Sequence, residues 1–506
     1  MNGFSNQIGV TTEERITNAF NVGSNVSTRN VGLLVERVRG VAGKPILTNN
    51  PTEDKKIFGG HDPNMYSSFV VENLFRNAGG YQANVYQVRV VGEGSTAASV
   101  IINSSGAAPA LEVIAGNQGL PDVGTWGNDL RVRYFPIDAE GGSAEGILLE
   151  VLYKGIKVER FLSTGDSVQD LVNQVNSRSG YITIDVIDGA LAMGATMVEA
   201  ILVGGTYVAP ALADYTPAYD EVTGAPIGMA IFDSVDVQVV AAPEVFDLTF
   251  NVAARDFAET NNKFFIFNAP FLATETTLET YYNSLVEGKQ SYVAGYLNWV
   301  EVPRDASGNK IWIPAIGYVL GAGYIRKAGL NNGYVWIPPA GEETAAKGVF
   351  RVSHDDLSQD KMSRFVKKWR MNVIKYIANV GYAIYSSRTY SSDPLFESIH
   401  VRLQTNWLIT NLKARNERFI QKLSNPTIDK SMEIDNTIFM KNVYEQGGIE
   451  ASIPFNEAVV VNVITSVENR KEKELAVSWI PSECIEHVHV TLSRNDGVLV
   501  LNLLNS

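Results

Sequence analysis

Five histidines (His61, His354, His400, His487 and His489) and a single cysteine are the residues with which this chain could do covalent or metal chemistry. His487 and His489 alternate with Val488 and Val490, a period of two that puts both imidazoles on one face of a strand. Such a pair could begin a metal site, but no third ligand stands near it in sequence, and a solvent-facing pair is the plainer reading. His354, in VSHDD, has no nucleophilic serine motif beside it and reads as part of a surface loop. Cys484 cannot form an internal disulfide and reads as a small buried hydrophobe. In YVLGAGYIRKAG (Tyr318 to Gly329), Gly321 and Gly323 follow a strand-like run, but Arg326 replaces the third glycine of a dinucleotide fingerprint, so the glycines read as turn formers. No GK[ST] phosphate loop occurs. These readings predict no catalytic residues, no metal and no cofactor.

Charge excludes another class. With 42 Lys and Arg against 55 Asp and Glu, the formal net charge is -13, whereas a nucleic-acid partner calls for a clustered basic footprint. Two predicted helices nevertheless carry surplus positive charge. One aligns Met362, Phe365, Val366, Trp369, Val373 and Ile377 on an apolar stripe, with Lys361, Arg364, Lys367, Lys368 and Lys375 opposite. The other, Thr405 to Leu423, aligns Leu408, Leu412, Phe419 and Leu423 beside Lys413, Arg415, Arg418 and Lys422.

The elements that would position these residues follow from hydrophobic period and breakers. The first twenty-two or so residues are polar and weakly periodic, which predicts an arm. VGLLVERV (Val31 to Val38) predicts a strand. A helix carrying Met65, Phe69, Leu74 and Phe75 follows, stopped by Gly79 and Gly80 before a strand at Val85 to Val91. From Gly92 to about Ala225, short alternations broken by Gly, Asn, Ser and Pro predict an inserted β-rich module with one helix, Ser167 to Ser177. MAIFDSVDVQVVAAPE and KFFIFNAP read as buried strands closed by proline, so alternating α/β structure returns. From Gly447 onward IEASI, AVVVNVI, LAVSWI, CIEHVHVTL and GVLVLNLL read as strands whose edges want partners. With 506 residues, 45% hydrophobic, the chain has length for two to four domains. An N-terminus without a basic-then-apolar leader, and no apolar run long enough to cross a bilayer, predict a protein made in the cytosol and not inserted in a membrane.

Eight segments, in this order, resemble the contractile tail-sheath family. They are FGG (Phe58 to Gly60), NAGGYQANVYQVRV (Asn77 to Val90), GTWGNDLRV (Gly124 to Val132), FDSVDVQVVAAPE (Phe232 to Glu244), FFIFNAP (Phe264 to Pro270), SYVAGYLNWVEV (Ser291 to Val302), IPAIGYVLGAGYIRKAGLNNGYVWIPPAG (Ile313 to Gly341) and the run from Ser386 to Ile420.

The resemblance implies an α/β, α+β multidomain fold: a subtilisin-like, non-catalytic inner core with an inserted β-rich outer domain and extended terminal strand arms. Mapped onto this chain, 1–22 is the N-terminal arm, 23–91 and 226–385 the inner core, 92–225 the outer domain, 386–446 a helical part and 447–506 the C-terminal arm. It implies hexameric rings stacked helically around an inner tube protein, with baseplate and terminator or cap proteins at the ends, assembled in the bacterial cytoplasm as part of a virion tail or tail-like particle. Ile8, Val10, Val459, Val461, Val463, Val498 and Val500 are then the candidates for strand addition between subunits, and Lys367, Lys368, Arg415 and Arg418 the candidates to face the tube. A solvated helix face or an intersubunit salt bridge is the plainer reading for each of those four cations. The other function the β-rich middle supports is that of a non-contractile adhesin or fibre-type binding protein.

Overall fold

A strand enclosed on both faces has no use for polar alternation, and the centre of this protein is built from such strands. The computed structural model describes residues 29–103, 108–138, 144–164, 168–187, 197–286, 291–466, 468–469, 471–485, 489–495 and 498–504. Every residue of Asn30–Val35, Val239–Ala241, Phe264–Asn268 and Val293–Tyr296 is buried. They lie in a seven-stranded sheet ordered Pro45–Thr48, Asn84–Arg89, Asn30–Val35, Val239–Ala241, Phe264–Asn268, Val293–Tyr296, Met371–Asn372. All neighbours are parallel except the first pair. Parallel pairing requires crossovers, and the helices Ser67–Asn77, Leu248–Thr260 and Glu275–Leu285 lie on them. Two of these start at side-chain caps: Asp247 accepts from Thr249 and Phe250 N–H, and Thr274 from Thr277 N–H. The core beside them is aromatic, with Phe250, Phe265, Phe267, Tyr281 and Trp369 all buried.

Between Asn84–Arg89 and Val239–Ala241 the chain forms a two-residue ribbon, Ala218–Tyr219 with Pro226–Ile227, and two larger sheets. One orders Ile182–Val186, Pro109–Asn117 and Ser99–Asn103; the other orders Val198–Ile201, Leu130–Asp138, Ala144–Tyr153 and Ile156–Thr164, antiparallel throughout. The helix Val168–Arg178 packs Leu171, Val172 and Val175 into their shared core with Val113, Val132, Val151 and Ile182. Burying Arg89 at the root of this segment without a partner would be costly, and it is fully paired. Its guanidinium donates to Asp122 at 2.9 Å and to the carbonyls of Arg37, Gly40 and Val123, while Asp122 also accepts from Gly40 N–H at 2.6 Å.

Residues 400–506 contain a second compact unit, distinct from 27–399. It holds most of the helix Ile399–Asn416, the helix Pro426–Glu445 and two antiparallel hairpins, Val459–Thr465 with Lys473–Trp479 and His489–Asn495 with Val498–Leu504. Asn416 and Asn436 exchange side-chain hydrogen bonds between the two helices, and Trp407 packs against Phe439.

Several sequence expectations need correction. The helix expected across Met362 to Ile377 covers only Gln359–Lys367. Arg370 turns the chain at φ 55°, after which Met371–Asn372 joins the central sheet and Ile374–Ile377 pairs with Gly381–Ile384. A chance helical period ran on into β-branched and aromatic residues that pack better in strands. The helix expected to reach Leu423 stops at Asn416 with a short 3-10 turn to Phe419, leaving Leu423 83% exposed. MAIF is 3-10 helix and only Val239–Ala241 of that segment is strand. IEASI forms no strand; Ile449 makes a lone bridge to Pro481.

The glycines taken for turn formers instead lie inside a buried helical run, 316–330, whose centre Val319–Arg326 is π-helical. A Cβ on Gly317 would sit 2.0 Å from the Val70 carbonyl oxygen, and one on Gly321 2.3 Å from that of Leu74. The two glycines, four apart, let this run lie directly on the backbone of Ser67–Asn77. Gly317→Ala should therefore destabilise the subunit by at least about 2 kcal/mol, because the clashing atom is backbone and cannot rotate away. Chemical denaturation measures this, and an unchanged midpoint would show that the packing is loose.

Candidate functional site

Open parallel sheets place ligands beyond the carboxyl ends of their strands, so that end is the first place to look for chemistry. Here it is occupied by side chains that bond the protein's own backbone. Asn268, at the end of its strand, accepts from Ala315 N–H at 2.8 Å and donates to the Asn298 carbonyl. Asn298 accepts from Ile374 N–H at 2.6 Å and donates to the Ser353 carbonyl. Asn372 donates to the carbonyls of Gly295 and Arg388. All three are 0% exposed. Asparagine offers a donor and an acceptor on one rigid amide, which suits it to clamp crossovers in this way.

The other ends carry carboxylates. Glu36, just past Asn30–Val35, accepts from Tyr215 at 2.6 Å and from Tyr207 at 2.9 Å. Glu244, just past Val239–Ala241, accepts from Ser67 N–H at 2.6 Å and from the Ser67 hydroxyl at 2.8 Å, and that hydroxyl accepts from Glu36 N–H. Burial pushes the Glu244 carboxyl up to about 7; the Ser67 hydrogen bonds oppose the shift and the nearby charge of Glu36 adds to it. This cluster ties the segment that returns from the two outer sheets to the ends of the central strands.

The histidines are likewise engaged. His354 is half-buried at φ 55°, its Nε2 facing the Ala273 carbonyl and its Nδ1 the hydroxyl of adjacent Ser353, which already accepts from Trp299 N–H. Burial lowers its pKa. It is thus more enclosed than a surface loop residue. His61 stacks on Phe69 and bonds Glu72; His400 bonds the Ser482 carbonyl. His489 lies in the strand His489–Asn495, and His487 lies outside the described residues. Cys484 is half-buried.

The candidate assembly residues fall mainly in the C-terminal unit. Val459, Val461 and Val463 share the strand Val459–Thr465. Backbone bonds join Ile480 to Ala458 and Ser466 to Glu472, which fixes the even positions of this strand as the paired set. Val459, Val461, Val463 and Thr465 consequently turn their N–H and C=O groups to the outer edge. Their side chains are buried or half-buried, while Val460, Asn462 and Ile464 face solvent. Val498 and Val500 lie in the strand Val498–Leu504. Among the described residues no third strand pairs with either hairpin. Ile8 and Val10, with the rest of the expected arm 1–22, lie outside the described residues.

The four basic candidates fall in different units, Lys367 and Lys368 in 27–399 and Arg415 and Arg418 in 400–506. Arg415 Nε and Nη2 form a bidentate pair with Asp435, at 2.6 and 3.1 Å, and Arg418 bonds the same carboxylate. The two arginines hold Asp435 below the usual carboxylate range although burial works against them. Lys367 ends its helix exposed, and Lys368, also exposed, lies 4.0 Å from the centre of the Trp369 ring. Sequence reasoning missed Asp429, Glu433 and Asp435 on the helix Pro426–Glu445. Their signal was available in DKSMEID, where Asp429 and Glu433 stand four apart and so share a helix face.

No protein-family model and no curated protein matches this sequence. Solved structures do. Those matched include sheath tail proteins and sheaths of contractile injection systems. The sheath tail protein of Listeria innocua matches with a TM-score of 0.58 at 13% identity, covering 91% of this chain and 93% of its own. That of Desulfitobacterium hafniense matches at 0.54 and 12%, covering 90% and 93%. The contracted helical sheath of the anti-feeding prophage matches at 0.53 and 14%, covering 96% and 99%. This chain shares their fold along nearly its whole length.

The Glu244 cluster generates a pH prediction. A carboxyl that binds its proton more tightly folded than unfolded stabilises the fold fully at low pH, and loses that contribution as pH rises from about 4.5 through about 7. Glu244→Gln should remove this slope, an effect on the order of 1–3 kcal/mol between pH 5 and 8. Thermal unfolding across that range checks it; parallel wild-type and variant profiles would refute it.

Proposed function

We propose that this chain is the non-catalytic subunit of a contractile sheath, polymerising as stacked hexameric rings around an inner tube and shortening to drive that tube through a target envelope. The observation that carries the reading is a fold shared over most of the chain with three sheath proteins, together with a C-terminal unit whose two hairpins pair with no third strand among the described residues. The six parallel strands of the central sheet support its role as the subtilisin-like inner core, and the two antiparallel sheets support the role of 92–225 as the outer domain. Partners on this reading are further copies of itself, the tube protein, and baseplate and cap proteins. Assembly takes place in the bacterial cytoplasm, yielding a virion tail or tail-like particle.

The work comes from the lattice. Strand addition supplies main-chain hydrogen bonds that hold neighbours together while the domains they tether rotate. Contacts of that head-to-tail kind do not close on themselves, so they extend into a filament. Each subunit gains modestly on rearrangement, and the sum over identical subunits drives contraction past the barriers that held the extended form.

Purified protein should form rings or tubules visible by electron microscopy; discrete particles at every concentration would favour an adhesin. Removal of residues 1–20 should abolish tubules while leaving the unfolding midpoint within a few degrees of wild type. Tube contact is assigned first to Lys367 and Lys368, because Arg415 and Arg418 already share Asp435. Lys367→Glu with Lys368→Glu should reduce co-sedimentation with tube protein several-fold without changing stability, whereas Arg415→Glu should lower the stability of the subunit itself. Equal behaviour of the two variants in both assays would reverse the assignment.

A further inference from the structure

A strand edge that must stay free in the single subunit and pair in the polymer has to be blunted without being blocked. The outer edge of Val459–Thr465 shows how. At its centre the Val463 N–H, which points away from the hairpin partner, donates to Glu433 Oε1 at 3.3 Å. Glu433 reaches this edge from the helix Pro426–Glu445, which packs against the strand, and Lys430 one turn earlier holds its other oxygen at 2.7 Å. Lys430 above all keeps the carboxyl below the usual carboxylate range, against the opposing effect of burial, so it is ionised at neutral pH. Asp429, on the same helix face, accepts from Thr465 Oγ1 and pairs with Lys473 at 2.5 Å. Glu433 thus occupies a peptide donor near the middle of the outer edge, while Asp429 holds side chains of both hairpin strands.

We propose that Glu433 is a displaceable edge guard: it occupies the Val463 N–H in the unassembled subunit, and an N-terminal segment from a second copy displaces it when it adds to the strand Val459–Thr465. The proposal rests on the sheath reading for the identity of the arriving strand. The occupant is the segment around Ile8 to Val10, because these two residues, spaced by two, share one face of an extended segment and can continue the apolar face formed by Val459, Val461 and Val463. A carboxylate suits the guarding role. It accepts but cannot donate, so it can satisfy an edge N–H but offers nothing to the neighbouring outward C=O groups, whereas an incoming peptide strand satisfies both. An arriving strand therefore exchanges one side-chain bond for a ladder.

The test uses a synthetic peptide of residues 1–22 and the full chain as wild type, Glu433→Ala and Glu433→Gln. Alanine removes the guard; glutamine keeps an acceptor at the same place and controls for loss of fold or charge. Glu433→Ala should bind the peptide about fivefold more tightly than wild type, the factor that a net hydrogen bond of about 1 kcal/mol represents. Its Val463 amide should exchange faster in the unassembled protein, and its polymers should appear after a correspondingly shorter lag. Glu433→Gln should stay near wild type in all three. A folded Glu433→Ala protein with unchanged peptide affinity and unchanged exchange overturns the guard, as does a peptide that binds none of the three proteins. If no variant polymerises yet Glu433→Ala still gains peptide affinity, the sheath reading fails while the guard stands.

Discussion

A two-stranded sheet turns half of its peptide groups outward, and nothing within the sheet can satisfy them. In water this is tolerable, since solvent takes the place of a neighbour, but it leaves a template that any extended chain can use. The C-terminal unit of this protein presents that situation twice, in the hairpins 459–479 and 489–504. Each main-chain bond gained there contributes only about 0.5–1.5 kcal/mol net of water. A contact made of a few such bonds gains strength when it is repeated many times, and is weak enough for a single edge to remain free in an isolated copy. The helix Pro426–Glu445 supplies both the surface against which the first hairpin packs and Glu433, which occupies an outward amide of its edge.

Charge is distributed under the same logic. The chain is acidic overall, yet many of its cations are committed to internal partners: Arg89 to Asp122, Arg364 to Glu275, Lys473 to Asp429, and Arg415 with Arg418 to Asp435. The buried Arg89 pair cannot be broken cheaply, because either half left alone would be an uncompensated charge in the interior. An exposed pair such as Arg364 with Glu275 is worth little to stability. Exposed Lys367 and Lys368, for which no ion pair is seen among the described residues, belong to that weakly held regime, whereas Arg415 and Arg418 share Asp435.

The sequence made the centre of the fold legible because fully buried parallel strands announce themselves as short apolar runs: VGLLV and FFIF fall where Asn30–Val35 and Phe264–Asn268 lie. Glycine at 79 and 80 ended a helix as expected, at φ 71° and 91°. What misled was period without context. Trp369, Val373 and Ile377 continue a helical stripe by spacing alone, and only the availability of the edge beside Val293–Tyr296 makes Met371–Asn372 a strand. Gly321 and Gly323 looked like turn residues because a helix interior rarely tolerates glycine, a penalty outweighed here by backbone contact with Leu74 and Pro339. The hairpin valines were readable as strand, but which of their amides face outward depends on register, and the guarding carboxylate is thirty residues away on a helix.

The carboxyl ends of the central strands make the same point from the opposite direction. In a parallel sheet those ends are where loops diverge and where enzymes assemble their sites. Here Asn268, Asn298 and Asn372 spend both functions of their amides on crossover backbone, while Glu36 and Glu244 anchor Tyr207, Tyr215 and Ser67. Side chains bonded in this way to the protein's own backbone and hydroxyls fix where each crossover leaves the sheet. Stiffening the centre in this way concentrates compliance in the terminal hairpins, whose connections are main-chain bonds at an edge. The sheath role proposed above calls for that division between a clamped core and edges open to pairing.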